Sequence, residues 1–192
     1  QTGGITELYD KEIGRDLADH DASAKINELL YVSGGDGSSI VRNFTSVPAK
    51  LEISRPTDAK VVLNSGQRIV IRARARGFPE IETEVSLPDA VKRIDIVNRL
   101  KKEEVRTREA VYFAFPFGVN PPELMYENQN TWIRPNTDQL PGADREWFAT
   151  NNVAVARDSG ASIAWATPDA PLITLADINR GLWLKHLNVA RG

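Results

Sequence analysis

The sequence predicts an all-β protein, a large antiparallel β-sandwich with little helix. Apolar and polar residues alternate over residues 67–76 and again over 80–87, which is the period of a strand with one buried face. Short strand-like runs follow one another and are separated by glycine, proline, aspartate and asparagine. No long stretch has the 3.6-residue period of an amphipathic helix. Strands at such close spacing are typical of a sandwich.

The first elements are short strands joined by marked turns. A β-hairpin is predicted at the amino terminus, with its turn at residues 10–14, where Gly14 can take the positive φ that closes it. A strand is expected at residues 29–32, followed by a glycine-rich mobile loop over residues 34–46. Two further strands are then expected, at residues 50–54 and 60–64.

The clearest hairpin lies at residues 67–87, where arginines alternate with apolar residues on one strand and glutamates do so on the next. Closing the turn at residues 77–79 would bury Ile71, Ala75, Ile81 and Val85 on one face. On the other face it would pair Arg76 with Glu80, Arg74 with Glu82 and Arg72 with Glu84. Because the glutamates neutralise the arginines, we expect a solvated face rather than a polyanion site.

The second half of the chain continues the strand pattern around one irregular loop. A charged connection is expected at residues 99–108, and a core strand at 111–117 places Phe113, Phe115 and Phe117 on one face. Residues 132–142 contain too much proline and glycine for a regular element and are predicted to be an ordered functional loop. The other strands are expected at residues 91–97, 124–127, 152–157, 162–167 and 172–175, and the tail at residues 179–190 fits a helix or a strand.

Composition excludes several functional classes. The 24 basic and 26 acidic residues give a net charge of -2. The chain therefore has no excess of positive charge that would indicate nucleic acid or an anionic membrane as a partner. Cysteine is absent, which excludes a disulfide framework and a thiolate site. The sequence shows neither a signal peptide nor a transmembrane run, and it leaves the cellular compartment open. It starts at Gln1 and stops at Gly192, and we expect it to be a piece of a longer polypeptide.

Two separated motifs resemble a known family. The run Glu-Ala-Val-Tyr-Phe-Ala-Phe-Pro-Phe at residues 109–117, followed by Arg134-Pro135 and by Asp-Gln-Leu-Pro-Gly at residues 138–142, resembles the C-terminal β-domain of glycoside hydrolase family 38 α-mannosidases and their bacterial relatives. Residues 4–17 are similar to the hairpin that opens this domain, with Glu7 and Asp16 as departures. From its length the chain could form one large domain or two small ones, and a single domain over residues 1–192 is expected because all-β sandwiches of this size are routinely single. The resemblance implies a supersandwich of the galactose mutarotase type.

The family implies a non-catalytic role for this part of an α-mannosidase-like glycosidase. In the family, a catalytic barrel of the same polypeptide is implied to hold zinc through a His-x-Asp pair and to carry an aspartate nucleophile. This chain has only His20 and His186, and neither begins a His-x-Asp motif. The expected partners are therefore the barrel and a carbohydrate, zinc is expected in the catalytic domain, and this chain alone is expected to be inactive.

Three residues of the loop are candidates for substrate binding. Arg134 matches an arginine that the family is implied to place on the active-site side, and Asp138 could orient its fork of donors. Trp132 could stack on a sugar ring, as could Trp165 on a later strand, although aromatics in a sandwich more often pack in the core. The alternative for Arg134 and Asp138 is that they only close the loop on itself.

Two rival functions remain open from the sequence. The chain could be a free-standing carbohydrate-binding module, which must bind a glycan alone, whereas an accessory domain need not. It could also be a small independent hydrolase, but it contains no Gly-x-Ser-x-Gly motif and no phosphate-binding glycine loop.

The missing His-x-Asp motif yields a test of activity. We expect the purified chain to show no hydrolysis of aryl α-mannosides, with or without added zinc, in a release assay of the aryl group. Zinc-dependent turnover that disappears on replacement of His20 or His186 would contradict this expectation.

Overall fold

The computed structural model describes residues 1–34, 51–106, 109–135, 137–143 and 147–175. All of the strand pairs found among them are antiparallel, and no described residue lies in a helix, which confirms the predicted all-β class. In this part of the chain there is accordingly no helix with the length and apolarity that crossing a membrane requires. Residues 35–46 of the predicted mobile loop and the tail at residues 179–190 lie outside the described residues.

The described chain contains fifteen strands, most of them close to their predicted positions. In chain order they are β1 (Tyr9–Asp10), β2 (Arg15–Asp16), β3 (Glu28–Gly34), β4 (Leu51–Ser54), β5 (Thr57–Asn64), β6 (Arg68–Ala75), β7 (Phe78–Ser86), β8 (Asp95–Lys101), β9 (Glu109–Ala114), β10 (Glu123–Asn128), β11 (Thr131–Ile133), β12 (Phe148–Ala149), β13 (Val153–Arg157), β14 (Ser162–Ala166) and β15 (Leu172–Ile173). The chain divides into two compact units, residues 1–6 with 24–115 and residues 7–23 with 116–192. The single domain over residues 1–192 stays a prediction.

The first unit is a sandwich of two sheets, with strand orders β4-β3-β9 and β5-β6-β7-β8. Its core joins Leu29 and Tyr31 of β3 to Ala73 of β6 and to Phe78 and Ile81 of β7. The rings of Tyr31 and Phe78 meet edge to face with centroids 5.4 Å apart. Side chains from facing sheets therefore interlock in one apolar layer.

The hairpin of β6 and β7 buries Ile81 as predicted and leaves Ile71, Ala75 and Val85 half-buried, but its predicted register is wrong. Arg72 lies opposite Glu82 instead of Glu84, and Ala73 opposite Ile81. Arg74 faces Thr57 of β5 on its other side. The alternation of faces survives, because a shift of two residues leaves every side chain on its own face.

Burial of Phe78 accounts for this register. The turn closes at Arg76 and Gly77, where Gly77 has a φ of 74°, so Ala75 pairs with Phe78 through a bulge. Phe78 thereby enters the strand and is almost fully buried. Burying a phenylalanine side chain contributes about 1.5–3 kcal/mol, which exceeds the contribution of an exposed ion pair. Core packing, rather than charge matching, selects the register.

The charged face of this hairpin is solvated, as predicted. Glu84 accepts hydrogen bonds from Arg68 on β6 and from Arg99 on β8. The Arg68 hydrogen bond is the largest cause that lowers the pKa of Glu84 to about 2. The predicted strand at residues 91–97 and charged connection at 99–108 are corrected, because β8 begins at Asp95 and continues pairing with β7 as far as Lys101.

The aromatic run that was predicted as one core strand ends early. Strand β9 stops at Ala114, because Pro116 has no N–H to donate to a ladder. Phe113 packs against the core of the first unit. Phe117, which belongs to the second unit, forms an isolated bridge with Ala18, and its carbonyl accepts a hydrogen bond from the N–H of Val119. The run is therefore divided between the two units.

The second unit contains the predicted amino-terminal hairpin and two further sheets. Strands β1 and β2 pair around a turn at residues 11–14, and Gly14 has the predicted positive φ, at 64°. The other sheets have the orders β11-β10-β13-β14 and β12-β15. Tyr126 and Ala154 of the first pack with Phe148 and Ile173 of the second. This unit thus also has a two-layer core.

The buried hairpin residues yield a stability prediction. Ile81→Ala is expected to lower the free energy of unfolding by about 2–5 kcal/mol, because Ile81 is buried in the core of the first unit. The matched control is Val97→Ala on the neighbouring strand β8, where the side chain is exposed and the change should stay within about 0.5 kcal/mol. Urea denaturation of both variants measures the difference, and equal losses would contradict the described packing.

Candidate functional site

The four-stranded sheet of the second unit has one buried face and one exposed face. Tyr126 lies opposite Ile133 and Ala154, and Ala154 lies opposite Trp165, so these side chains point to the core. The neighbouring positions along each strand point outward by the alternation of a strand. The outward positions of the four strands are Trp132 on β11, Glu123, Met125 and Glu127 on β10, Val153, Val155 and Arg157 on β13, and Ser162, Ala164 and Ala166 on β14.

Trp132 stands at the edge of this exposed face. The sequence placed it in an irregular loop, but Thr131–Ile133 form a strand that pairs with β10. The turn before this strand consists of Gln129 and Asn130, both with positive φ, which is the pattern of a type I′ hairpin turn. A signal for this hairpin was present in Asn130, since asparagine tolerates that conformation. The Trp132 side chain is 49% exposed and lies opposite Glu127.

Trp165 has the opposite environment. It lies on the inward face of β14 and packs against the core formed by Tyr126, Phe148 and Ile173. Core packing, which the sequence favoured for an aromatic on a strand, is therefore the role found for Trp165. Of the two tryptophans weighed as sugar contacts, the structure exposes Trp132.

Arg134 and Asp138 face each other in the loop that follows β11. Asp138 accepts hydrogen bonds from Nη2 and Nε of Arg134, at 2.8 and 3.1 Å, and from its backbone N–H at 2.8 Å. The backbone N–H of Asp138 in turn donates to the carbonyl of Arg134 at 3.1 Å. The side-chain hydrogen bond raises the pKa of Arg134 and lowers the pKa of Asp138. Asp138 thus orients the guanidinium, as the sequence suggested, and also closes the loop.

Within the described part of the chain, the Arg134 guanidinium keeps N–H donors for a ligand. Its bonds to Asp138 use two of the five N–H donors that an arginine side chain carries. The Arg134 side chain is 55% exposed. The charge of Glu123, an outward residue of β10, contributes to the raised pKa of Arg134. Arg134 also directly follows Ile133, the last residue of β11, so it lies at the same edge of the sheet as Trp132.

Two polar pairs on this face were missed from the sequence. Arg157 donates from Nε and Nη2 to the two carboxylate oxygens of Glu123, each at 2.9 Å. Asn152 donates from Nδ2 to Glu127 at 3.0 Å. The partners are 34 and 25 residues apart along the chain. No local sequence pattern predicts such pairs, because only the register of β10 and β13 brings the partners together.

A buried carboxylate holds the end of β13 that carries Arg157. Asp158, whose side chain is 2% exposed, accepts hydrogen bonds from Arg15 Nη1 at 3.0 Å and Nη2 at 2.7 Å. It also accepts from the backbone N–H groups of Asn120, Gly160 and Ala161 at 2.8–2.9 Å. The Arg15 hydrogen bond, followed by the backbone donors, holds the pKa of this carboxyl well below its usual range.

The described residues do not fit a zinc site. His20 contacts Asp16 through Nε2 at 2.7 Å and is largely exposed. Among the residues that the structure describes, no group of three histidine, cysteine, aspartate or glutamate side chains could hold a metal ion. Zinc binding usually needs at least three protein ligands. The zinc expected from the family is therefore not assigned to this part of the chain, and His186 lies outside the described residues.

The comparisons with known proteins identified no relative of this chain. No model of a known protein family matches the chain, and a search of curated proteins gives no significant match. The candidate site therefore rests on the geometry above and on the sequence motifs.

The Asp158 cluster yields a pH-dependent prediction. Asp158→Asn should lower the melting temperature at neutral pH, because a neutral amide replaces the ionised acceptor of Arg15 and of the backbone donors. Since folding lowers this pKa from its ordinary value of 3.8, the stabilisation is present above that value and is lost as the pH falls through the lower folded pKa. The difference in melting temperature between wild type and variant should therefore narrow below about pH 4.

The control for this prediction is Asp169→Asn. Asp169 is an exposed aspartate in the turn after β14. Asp169→Asn makes the same change of charge as Asp158→Asn, but it should leave the melting temperature almost unchanged at every pH. A gap for Asp158→Asn that stays constant from neutral to acidic pH would contradict the role of the ionised carboxylate.

Proposed function

We propose that the chain is the non-catalytic β-domain of a family 38-type α-mannosidase or related glycoside hydrolase. In this role it packs on the catalytic barrel of the same polypeptide and contributes Trp132 of β11 and the loop residues Arg134 and Asp138 to the rim of the active site. The motifs at residues 4–17, 109–117 and 134–142 support the family, and the antiparallel sandwich sheets agree with a β-domain.

One observation carries the proposed rim role: Arg134 is exposed, is held in one orientation and has N–H donors that the described residues do not use. An unclamped arginine loses side-chain entropy when it binds, whereas one already fixed by a carboxylate loses less. The local bonds between Arg134 and Asp138 fix the fork without any ligand. The clamp thus supports a binding role and does not compete with it.

The chemistry of these residues suits binding rather than bond cleavage. A guanidinium donates to two hydroxyl or carboxylate oxygens at once but remains protonated, so it does not act as a general base. An exposed indole such as Trp132 offers an apolar plane to the C–H face of a sugar ring. We therefore assign Arg134 and Trp132 to substrate orientation and leave proton transfer and zinc to the barrel.

The test of this role is Arg134→Ala in the polypeptide that contains both the barrel and this chain. Loss of a charged hydrogen-bond donor to the substrate should lower kcat/KM by about ten- to a hundredfold while the melting temperature stays near that of the wild type. The matched control is Arg72→Ala, which removes an arginine of similar exposure paired with Glu82 in the first unit. It should leave kcat/KM unchanged.

The opposite pattern would reject the rim role. A lower melting temperature with unchanged kcat/KM would show that Arg134 and Asp138 only close the loop. The proposed family has a separate test. The reading frame before residue 1 should encode a β/α barrel with a His-x-Asp motif. A different upstream sequence would overturn the family.

A further inference from the structure

The exposed face of the second unit extends well beyond the proposed rim residues. We propose that this face binds a neutral oligosaccharide that lies across all four strands. We call it the platform and define it by the outward residues of β10, β11, β13 and β14 given above, together with Arg134, which directly follows Ile133 at the end of β11. The carbohydrate class rests on the proposed function, whereas the position and extent of the platform rest on the geometry of the sheet.

The shape of the platform suits an extended chain. Strand β14, at the edge opposite Trp132, presents only Ser162, Ala164 and Ala166 outward, and all three are exposed. Met125 and Val155 form the floor between the edges. Four strands at a spacing of about 4.8 Å span roughly 14 Å, which is longer than one pyranose ring. The small side chains therefore leave an open, shallow surface for several linked sugars.

The chemistry of the platform matches the two surfaces of a sugar. Trp132 provides an aromatic plane at one edge for the apolar C–H face. Among the described residues, the bonds of Arg134 to Asp138 and of Arg157 to Glu123 each use two of five N–H donors, so both arginines keep donors for a ligand. The carboxylate of Glu123 keeps lone pairs that can accept from hydroxyl groups. A hydroxyl group both donates and accepts hydrogen bonds, so a ligand rich in hydroxyls can bind the arginine donors and the Glu123 acceptors of the platform.

The balance of charge indicates a neutral ligand. Arg134 is paired with Asp138, and Arg157 is paired with Glu123. With Glu127, which accepts from the neutral Asn152, the platform carries two basic and two acidic side chains, so it has no cluster of one sign to attract a polyanion or a polycation. The paired side chains are also held in place before binding, which lowers the entropy cost of ordering them.

A protein partner fits the platform less well than a sugar. The buried centre of a protein interface is usually depleted of charged residues. Here Glu123 and Arg157 lie directly beside Met125 and Val155, and the largest apolar side chain that is exposed is Trp132 at the edge. Burying such ion pairs under a protein would cost desolvation, whereas the hydroxyls of a glycan can replace water at each of them.

The experiment is binding of the 192-residue chain to an array of neutral manno-, gluco-, galacto- and xylo-oligosaccharides, with heparin fragments as the anionic control. Titration calorimetry with the best neutral ligand then compares variants. Trp132→Ala should weaken binding about tenfold, and Trp132→Phe, which keeps an aromatic plane, should retain most of it. Ala166→Gln should also weaken binding about tenfold by filling the open edge of the platform.

The matched control for the blocking variant is Ala149→Gln. Ala149 is likewise an exposed strand alanine, but it lies on β12 in the other sheet of the second unit. It should leave the affinity unchanged, and circular dichroism should show wild-type folding for all four variants. Neutral-glycan binding that neither Trp132→Ala nor Ala166→Gln weakens would overturn the platform, as would binding to heparin fragments alone.

The platform and the proposed function fail in different ways. If the wild-type chain binds no neutral glycan while Arg134→Ala still lowers kcat/KM of the barrel-containing polypeptide, the platform is wrong and the rim role stands. If the chain binds through Trp132 and Ala166 while Arg134→Ala leaves kcat/KM unchanged, the platform stands and the rim role is wrong.

Discussion

The second unit depends on a single buried carboxylate. Asp158 ties together the hairpin that carries Arg15, the segment before β10 at Asn120, and the turn between β13 and β14. Arg15 also donates to the carbonyl of Gly118, so this one ion pair satisfies polar groups from distant parts of the chain. A buried charge is tolerated only when it is paired and fully hydrogen-bonded, and Asp158 meets that requirement. Because Arg157 precedes it directly, the cluster also fixes one corner of the platform.

The sequence predicts which face of a strand is buried better than it predicts which residues lie opposite each other. Alternation in β6 and β7 is unchanged by a shift of two residues, so Ile81 is buried in either register. The choice between registers depends on whether Phe78 enters the strand, and this depends on Tyr31, which lies far away in the sequence. The favourable charge pattern on the exposed face contributes too little to decide the register.

The candidate site shows the same division between local and distant information. Arg134 and Asp138 are four residues apart, so their contact could be expected from the sequence. The bidentate pair of Arg157 with Glu123 depends on the pairing of β13 with β10, which no short motif encodes. Trp132 could be chosen as a candidate from the chemistry of its side chain. Its exposure, in contrast, follows from a hairpin turn that contains two residues of positive φ.

Each unit has a sheet face that carries paired charges, and the comparison shows that charge alone does not define a site. In the first unit Arg68 and Arg99 both donate to Glu84 on the face of β6, β7 and β8. Long paired side chains of this kind satisfy their own hydrogen bonds. In the second unit the pair of Arg157 with Glu123 lies beside the small outward residues of β14, and Trp132 is exposed at the opposite edge of the sheet. The difference between a solvated face and a candidate binding face therefore lies in the neutral residues around the charges.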